Sequence, residues 1–125
     1  MQSLPSIGFD TTVGTSRVEL DTCATCDGAA FDSASSTSFV ADCCSDSRNN
    51  TFYDGSIESG DMGTDRICLS EDTSSCTSAW KFYALSEKGS NLSSYHDGMI
   101  GMWNGQVTGQ DDLLIPKLYQ SGAIS

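Results

Sequence analysis

The sequence predicts an all-β domain with one short helix near its carboxyl terminus. Apolar residues recur in short runs, and 12 glycines with many Ser and Thr residues separate these runs. Only one stretch carries the residues that typically begin and end a helix. The 125 residues suffice for one compact domain, so we expect a single unit over residues 1–125.

Strands are predicted wherever apolar or aromatic residues cluster between polar ones. Ile7 and Phe9 would share one face of the first strand, and the next segment alternates polar and apolar side chains. Asp54-Gly55 has the composition of a two-residue hairpin turn. The predicted strands and hairpin cover residues 6–11, 17–20, 51–57, 62–69, 80–85 and 99–102.

The helix is predicted over residues 113–122. Pro116 fits its first turn, because the N–H that proline lacks would be unpaired there anyway. Gly122 fits the position just past its end. No internal repeat or low-complexity tract divides the chain.

The charge balance excludes two classes of partner. Six Lys and Arg residues against 17 Asp and Glu residues give a formal charge of −11. Such a surface repels nucleic acid and anionic lipid, so neither is an expected partner. No segment is long and apolar enough to span a membrane. The first residues lack the regions of a signal peptide, so a secreted form would take its targeting sequence from outside this chain.

Six cysteines and two Asn-x-Ser/Thr sequons, at Asn49 and Asn91, favour an oxidising secretory compartment. They predict a secreted or lysosomal/vacuolar glycoprotein with disulfide bonds. Cys68 with Cys76 is the favoured bridge, because it would close the polar loop between two predicted strands. The remaining cysteines are also expected to form disulfides, with partners that the spacing leaves open: Cys23, Cys26, Cys43 and Cys44.

Other chemistries fit the sequence less well. Cys23-x-x-Cys26 could be a redox centre, but no thioredoxin-like βαβ pattern surrounds it. A zinc site would need a second well-spaced pair, and the other two early cysteines are adjacent. His96 is the single histidine, and no Gly-x-Ser-x-Gly motif supports a serine hydrolase. No metal or cofactor is therefore expected.

Several motifs follow one another in a fixed order along the chain. An aspartate follows an apolar strand, and a Cys pair, a Ser-rich stretch, a hairpin and an Asp-Gly-Met-Ile-Gly segment come after it. In chain order these are Phe9-Asp10-Thr11, Cys23 with Cys26, residues 31–39, 53–60, 65–69, 97–101 and 114–124. Over nearly the whole chain, this series resembles the amino-terminal lobe of the pepsin family of aspartic proteases.

The resemblance implies a β-barrel lobe of an endopeptidase that hydrolyses peptides or proteins. In that family two carboxylates share one proton, and each lobe supplies one of them. Asp10 matches the catalytic aspartate, Thr11 the threonine that braces the opposite loop, and Tyr53 the tyrosine of the flap over the substrate. Gly55 and Ser56 match the flap turn. We expect these residues and Gly101 to share one cleft, with an apolar floor of Ile7, Phe9 and Ile100.

Departures from the family pattern leave alternatives open. After the Asp-Thr pair the family has Gly, whereas this chain has Thr12 and Val13 before Gly14, as if two residues were inserted. Without an insertion, Val13 falls where the family has a Ser that hydrogen-bonds the catalytic aspartate. Phe52 could take the register of the flap tyrosine, and Asp21 in Leu20-Asp21-Thr22 is an alternative catalytic anchor. A non-catalytic homologue that binds peptides through a remnant cleft is the competing function.

The 125 residues hold no second Asp-Thr-Gly or Asp-Ser-Gly motif. We therefore expect half of an enzyme, inactive by itself. Its expected partners are a carboxy-terminal lobe or a second copy of the chain, together with the peptide substrate.

Overall fold

The described part of the protein consists of six strands, one 3-10 turn and one α-helix. The structure, a computed structural model, describes residues 2, 7–11, 15–26, 30–51, 55–77, 79–89, 97–102 and 113–125, with only the backbone of 43–48 and 50. The elements are β1 Ile7–Asp10, β2 Arg17–Glu19, β3 Val40–Thr51, β4 Ile57–Asp65, the 3-10 turn Thr73–Ser75, β5 Trp80–Lys88, β6 Gly98–Gly101 and α1 Leu114–Gln120. The prediction of a mostly β domain with one short helix is confirmed.

The strands form one mixed sheet in the order β1-β6-β2-β5-β4-β3. β1 runs parallel to β6 and β2 runs parallel to β5, while the other neighbours are antiparallel. A closed barrel requires its first and last strands to pair. In the described chain β1 and β3 remain separate edges, so the barrel expected from the family resemblance is not found.

The predicted hairpin is formed by β3 and β4. These strands are antiparallel up to the pair Thr51 and Ile57. The two-residue turn at Asp54-Gly55 stays a prediction, because residues 52–54 lie outside the described chain. β4 ends at Asp65, earlier than the return strand predicted to reach residue 69. The sequence prediction also missed most of β3, because its polar sequence lacks the alternation that marks a half-buried strand.

One face of the sheet packs against α1. Leu114 and Leu118 are one helical turn apart and both are buried, which places them on the same side of the helix. Together with residues of β2, β5 and β6 and with Phe31, which bridges to Leu20 at the end of β2, they form one buried cluster. Its members are Val18, Phe31, Trp80, Phe82, Ala84, Ile100, Leu114 and Leu118. Gly122 follows the helix with φ of +72°, as expected for a residue just past a helix end.

Replacing Leu118 with Ala is expected to lower the free energy of unfolding by about 2–5 kcal/mol, because it leaves a cavity under α1. The side chain is fully buried in the core cluster. Chemical denaturation monitored by tryptophan fluorescence would measure the change, with the exposed Ile115 of the same helix replaced by Ala as the matched control. Equal effects of the two substitutions would contradict the packing of α1.

Candidate functional site

Strand pairing brings Asp10 next to Gly101. β1 and β6 are parallel, with Ile7 opposite Gly98 and Asp10 opposite Gly101. The Met102 backbone N–H continues the ladder by donating to the Asp10 carbonyl oxygen at 2.7 Å. The expectation that these two distant segments are neighbours is confirmed.

β1 ends and β2 begins beside the carboxyl end of β6. β1 and β2 follow each other along the chain, yet β6 lies between them in the sheet. Because β1 runs parallel to β6 and β2 runs antiparallel to it, Asp10 and Ser16 flank the carboxyl end of β6, where Gly101 lies. This inserted strand gives Asp10 a defined position on the sheet.

Ser16, which directly precedes β2, bonds to both β6 and β5. Its hydroxyl accepts a hydrogen bond from the Gly101 N–H at 3.1 Å, and its carbonyl oxygen accepts one from the Tyr83 N–H at 2.8 Å. Ser16 is buried, so both bonds are shielded from water. Sequence reasoning missed this residue, and the only signal was a small hydroxyl residue directly before a predicted strand.

The apolar floor is formed only in part. Ile100 is buried and Ile7 packs against the core cluster, as expected. Phe9, however, is 67% exposed beside the half-buried Asp10. Its register partner Ile100 belongs to the core cluster, while Phe9 itself stays exposed on the edge strand β1. The place of Phe9 in the floor therefore stays a prediction, since the floor of a single lobe would lie open to solvent.

The remaining predicted site residues are placed as follows. Thr11 is exposed directly after β1. Gly55, with φ of +82°, and the buried Ser56 precede β4. By register they lie where β2 and β5 end, whereas Asp10 lies where these strands begin. A cleft shared by Asp10, Gly55 and Ser56 stays a prediction, because it requires the hairpin to bend over the sheet. The other residues named from the sequence lie outside the described residues: Tyr53, Phe52, Thr12, Val13 and His96.

The alternative anchor Asp21 occupies a different position. It is exposed just after β2, and its N–H donates to the Phe31 carbonyl oxygen at 3.1 Å. This is the opposite end of β2 from Ser16, which contacts Gly101. Asp10, and not Asp21, is therefore the aspartate paired with the Met-Ile-Gly strand.

Four charged side chains from three strands lie together in a group here called the ion cluster, in which three are buried and Arg17 is half-buried: Arg17, Glu19, Glu58 and Lys88. The Lys88 Nζ lies 2.8 Å from Glu19 Oε1, and both side chains are buried. The Arg17 Nε lies 3.7 Å from Glu58 Oε1. The Glu58 Oε2 is buried with no hydrogen-bond partner within the described chain.

The surroundings of Glu58 in the ion cluster shift the pKa of its carboxyl group. Burial raises the pKa of Glu58, because a buried carboxylate loses its hydration. The positive charges of Arg17 and Lys88 oppose this shift, and the negative charge of Glu19 adds to it. A raised carboxyl pKa means that folding favours the protonated form, so Glu58 stabilises the fold at low pH.

Glu58→Gln is expected to raise the free energy of unfolding by about 1 kcal/mol at pH 7, because it removes a buried and incompletely paired charge. The gain should shrink towards pH 4. Since the pKa of Glu58 is raised, its favourable contribution is complete below the unfolded-state pKa and is lost as the pH rises through the folded-state pKa. Urea unfolding from pH 4 to pH 7 would measure this. Exposed Glu87→Gln is the control, and a pH-independent difference would contradict the prediction.

Asp65 has a structural role at the end of β4. Its carboxylate accepts hydrogen bonds from Ser36 Oγ at 2.8 Å, from Ser38 Oγ and from the Arg66 N–H at 2.6 Å. Because Ser36 and Ser38 both donate to this carboxylate, Asp65 holds the Ser-rich loop against the end of β4. The Ser-rich stretch singled out by sequence therefore serves as a brace for this end of the sheet.

Two disulfides join the described cysteines. Cys68 bonds Cys76 as predicted, with a Cα separation of 3.9 Å. Cys23 bonds Cys26, which settles a pairing that the spacing had left open.

No group of three or more candidate metal ligands occurs within the described chain, and the side chains of Cys43 and Cys44 lie outside it. No helix in the described ranges is long and apolar enough to cross a membrane.

Comparison with known proteins adds no relative. No protein-family model matches this chain, and no curated protein matches it. The function of the site therefore rests on its own motifs and geometry.

Proposed function

We propose that this chain is the amino-terminal lobe of a pepsin-like aspartic endopeptidase, and that Asp10 is the catalytic carboxylate this lobe contributes. The pairing of Asp10 with Gly101 carries the proposal. Bringing two such distant segments together closes a long loop and costs entropy. That the chain makes this pairing at the two motifs named by the family resemblance supports a common origin for the site.

The proposed reaction is hydrolysis of a peptide bond by two carboxylates that share one proton. The ionised carboxylate takes a proton from water as the water oxygen attacks the peptide carbonyl carbon. The protonated carboxyl group stabilises the resulting oxyanion. The first carboxyl group then passes the proton it took from water to the peptide nitrogen, the C–N bond breaks, and the amine and a new carboxyl group leave. Asp10 supplies one carboxylate, and the other comes from a second lobe or a second copy of this chain.

The surroundings of Asp10 support a partner on this side of the lobe. Phe9 exposes two thirds of its surface next to Asp10 at the edge of the sheet. Burying such a side chain against a second lobe would contribute about 1.5–3 kcal/mol. Thr11 would face that partner, while Tyr53, Gly55 and Ser56 would cover the substrate.

The proposed setting is a secreted or lysosomal/vacuolar compartment. Two disulfides in a chain of this length support an oxidising environment. The excess of carboxylates suits an acidic medium, because a chain with few basic groups gains little positive charge as the pH falls.

The test is hydrolysis of an unfolded protein at acid pH by the product of the complete gene. A peptide analogue with a hydroxyl group at the scissile position mimics the tetrahedral intermediate and should inhibit an aspartic peptidase strongly. Inhibition by a chelator or a serine-directed reagent instead would contradict the proposal. Binding of the analogue without any hydrolysis would support the competing peptide-binding function, which Thr12 and Val13 at the Gly-Ser positions favour.

The purified 125-residue chain is expected to show no peptidase activity as a monomer, because one carboxylate cannot divide the acid and base roles. A homodimer could bring two copies of Asp10 together across a two-fold axis. Activity measured over a concentration series, with sedimentation to report the dimer fraction, separates the cases. Activity proportional to monomer concentration would contradict this prediction.

A further inference from the structure

The longest strand of the sheet ends in a sequon. Asn49-Asn50-Thr51 closes β3, and the side chains of Asn49 and Thr51 are both exposed. β3 pairs with β4 on one side and is the last strand of the described sheet on the other. The sequon therefore lies in extended backbone at an edge of the described sheet, and its exposed side chains are within reach of a modifying enzyme.

The two halves of this edge differ in regularity. Pairing between β3 and β4 is interrupted between Asp42 and Ser47, and such irregularities hinder pairing with another chain. From Ser47 to Thr51 the register with β4 is unbroken. This regular half is the part of the edge that could accept a strand from another molecule, and Asn49 stands at its centre.

We propose that Asn49 carries an N-linked oligosaccharide that covers the regular half of the β3 edge. The Asn49 Nδ2 attacks the anomeric carbon of a lipid-pyrophosphate-linked oligosaccharide. A C–N bond forms, the C–O bond to the pyrophosphate breaks, the amide loses one proton and the lipid pyrophosphate leaves. Thr51 supplies the hydroxyl residue that the sequon requires.

This inference is independent of the protease assignment. It rests on the exposed sequon, on the edge position of β3 in the described sheet and on the disulfides that indicate an oxidising compartment. A bulky, hydrated glycan at a sheet edge would act against edge-to-edge association, as charged residues and bulges do elsewhere.

The test expresses the chain behind a secretion signal in eukaryotic cells. Peptide N-glycosidase F converts each glycosylated Asn to Asp, which peptide mapping locates. Wild type and Asn50→Gln, which keeps the sequon, should carry the modification at Asn49. Asn49→Gln and Thr51→Ala should lose it, and Thr51→Ser should retain it. If a variant is not secreted, the same map is made on the intracellular chain.

A second measurement tests the role of the glycan. Enzymatically deglycosylated chain and Asn49→Gln should self-associate at least several-fold more than Asn50→Gln in light scattering at equal concentration. An unmodified Asn49 in wild-type chain with the Cys68–Cys76 bridge intact would overturn the site. Equal self-association of the glycosylated and deglycosylated chains would overturn the role assigned to the glycan.

Discussion

Asp10→Asn is expected to reduce the acid peptidase activity of the complete gene product by about 10²- to 10⁴-fold, the contribution typical of a positioned acid or base. Asparagine keeps the shape of the side chain but cannot exchange a proton at the working pH. The backbone bond from the Met102 N–H to the Asp10 carbonyl does not involve the side chain, so the pairing of β1 with β6 should persist in the variant. Initial rates on a fluorogenic peptide, with a thermal melt of each variant, measure both effects.

Asp21→Asn is the matched control for this experiment. Asp21 is the alternative catalytic anchor, but it is exposed at the opposite end of β2. Its substitution should leave the rate within about two-fold, as expected for a surface change away from the site. A large loss with Asp21→Asn and none with Asp10→Asn would reverse the assignment and leave the pairing of β1 with β6 without a catalytic role.

Gly98→Ala is expected to destabilise the protein by about 3 kcal/mol or more, because the new methyl group cannot be accommodated between β1 and β2. A Cβ at this position would lie 2.7 Å from the Arg17 carbonyl oxygen and 3.1 Å from Ile7 Cδ1. The carbonyl belongs to the backbone of a neighbouring strand, so β6 must shift as a whole. Equilibrium urea unfolding would measure the loss.

The contrast with Gly63→Ala sharpens this prediction. A Cβ there would lie 2.6 Å from the ring of Phe39, which is a side chain and can be shortened. Phe39→Leu should therefore partly restore the stability of Gly63→Ala, whereas Ile7→Ala should not restore that of Gly98→Ala. Full stability of Gly98→Ala would show that β6 does not lie tightly between β1 and β2.

Much of the architecture could be predicted because its signals are local. Arg17-Val18-Glu19 alternates at the period of a strand, and β5 is rich in aromatic residues. α1 has Pro116 in its first turn and Gly122 just past its end. β3 escaped prediction because its strand conformation comes from pairing with β4, and pairing leaves no mark in a polar sequence.

In the candidate site, too, some features could be predicted from the sequence and others could not. The pairing of Asp10 with Gly101 was expected from two motifs in order, and the Cys68–Cys76 bridge from the loop between them. The place of Phe9 in an apolar floor stays a prediction, since its exposure at an edge strand depends on what covers that edge. Ser16 was missed because a serine before a strand has no distinguishing sequence pattern, and its role follows only from its contact with β6.

The sequence by itself determined the strand-rich class, the terminal helix and the order of the motifs, because periodicity and turn residues act over a few neighbouring positions. Only the tertiary structure decided which residues meet: Ser16 with Gly101 across 85 positions, and Lys88 with Glu19 across 69. It also buried Glu19 and half-buried Arg17, which their alternation alone would have turned towards water. The physical reason is that burial and pairing depend on which distant strand covers a face.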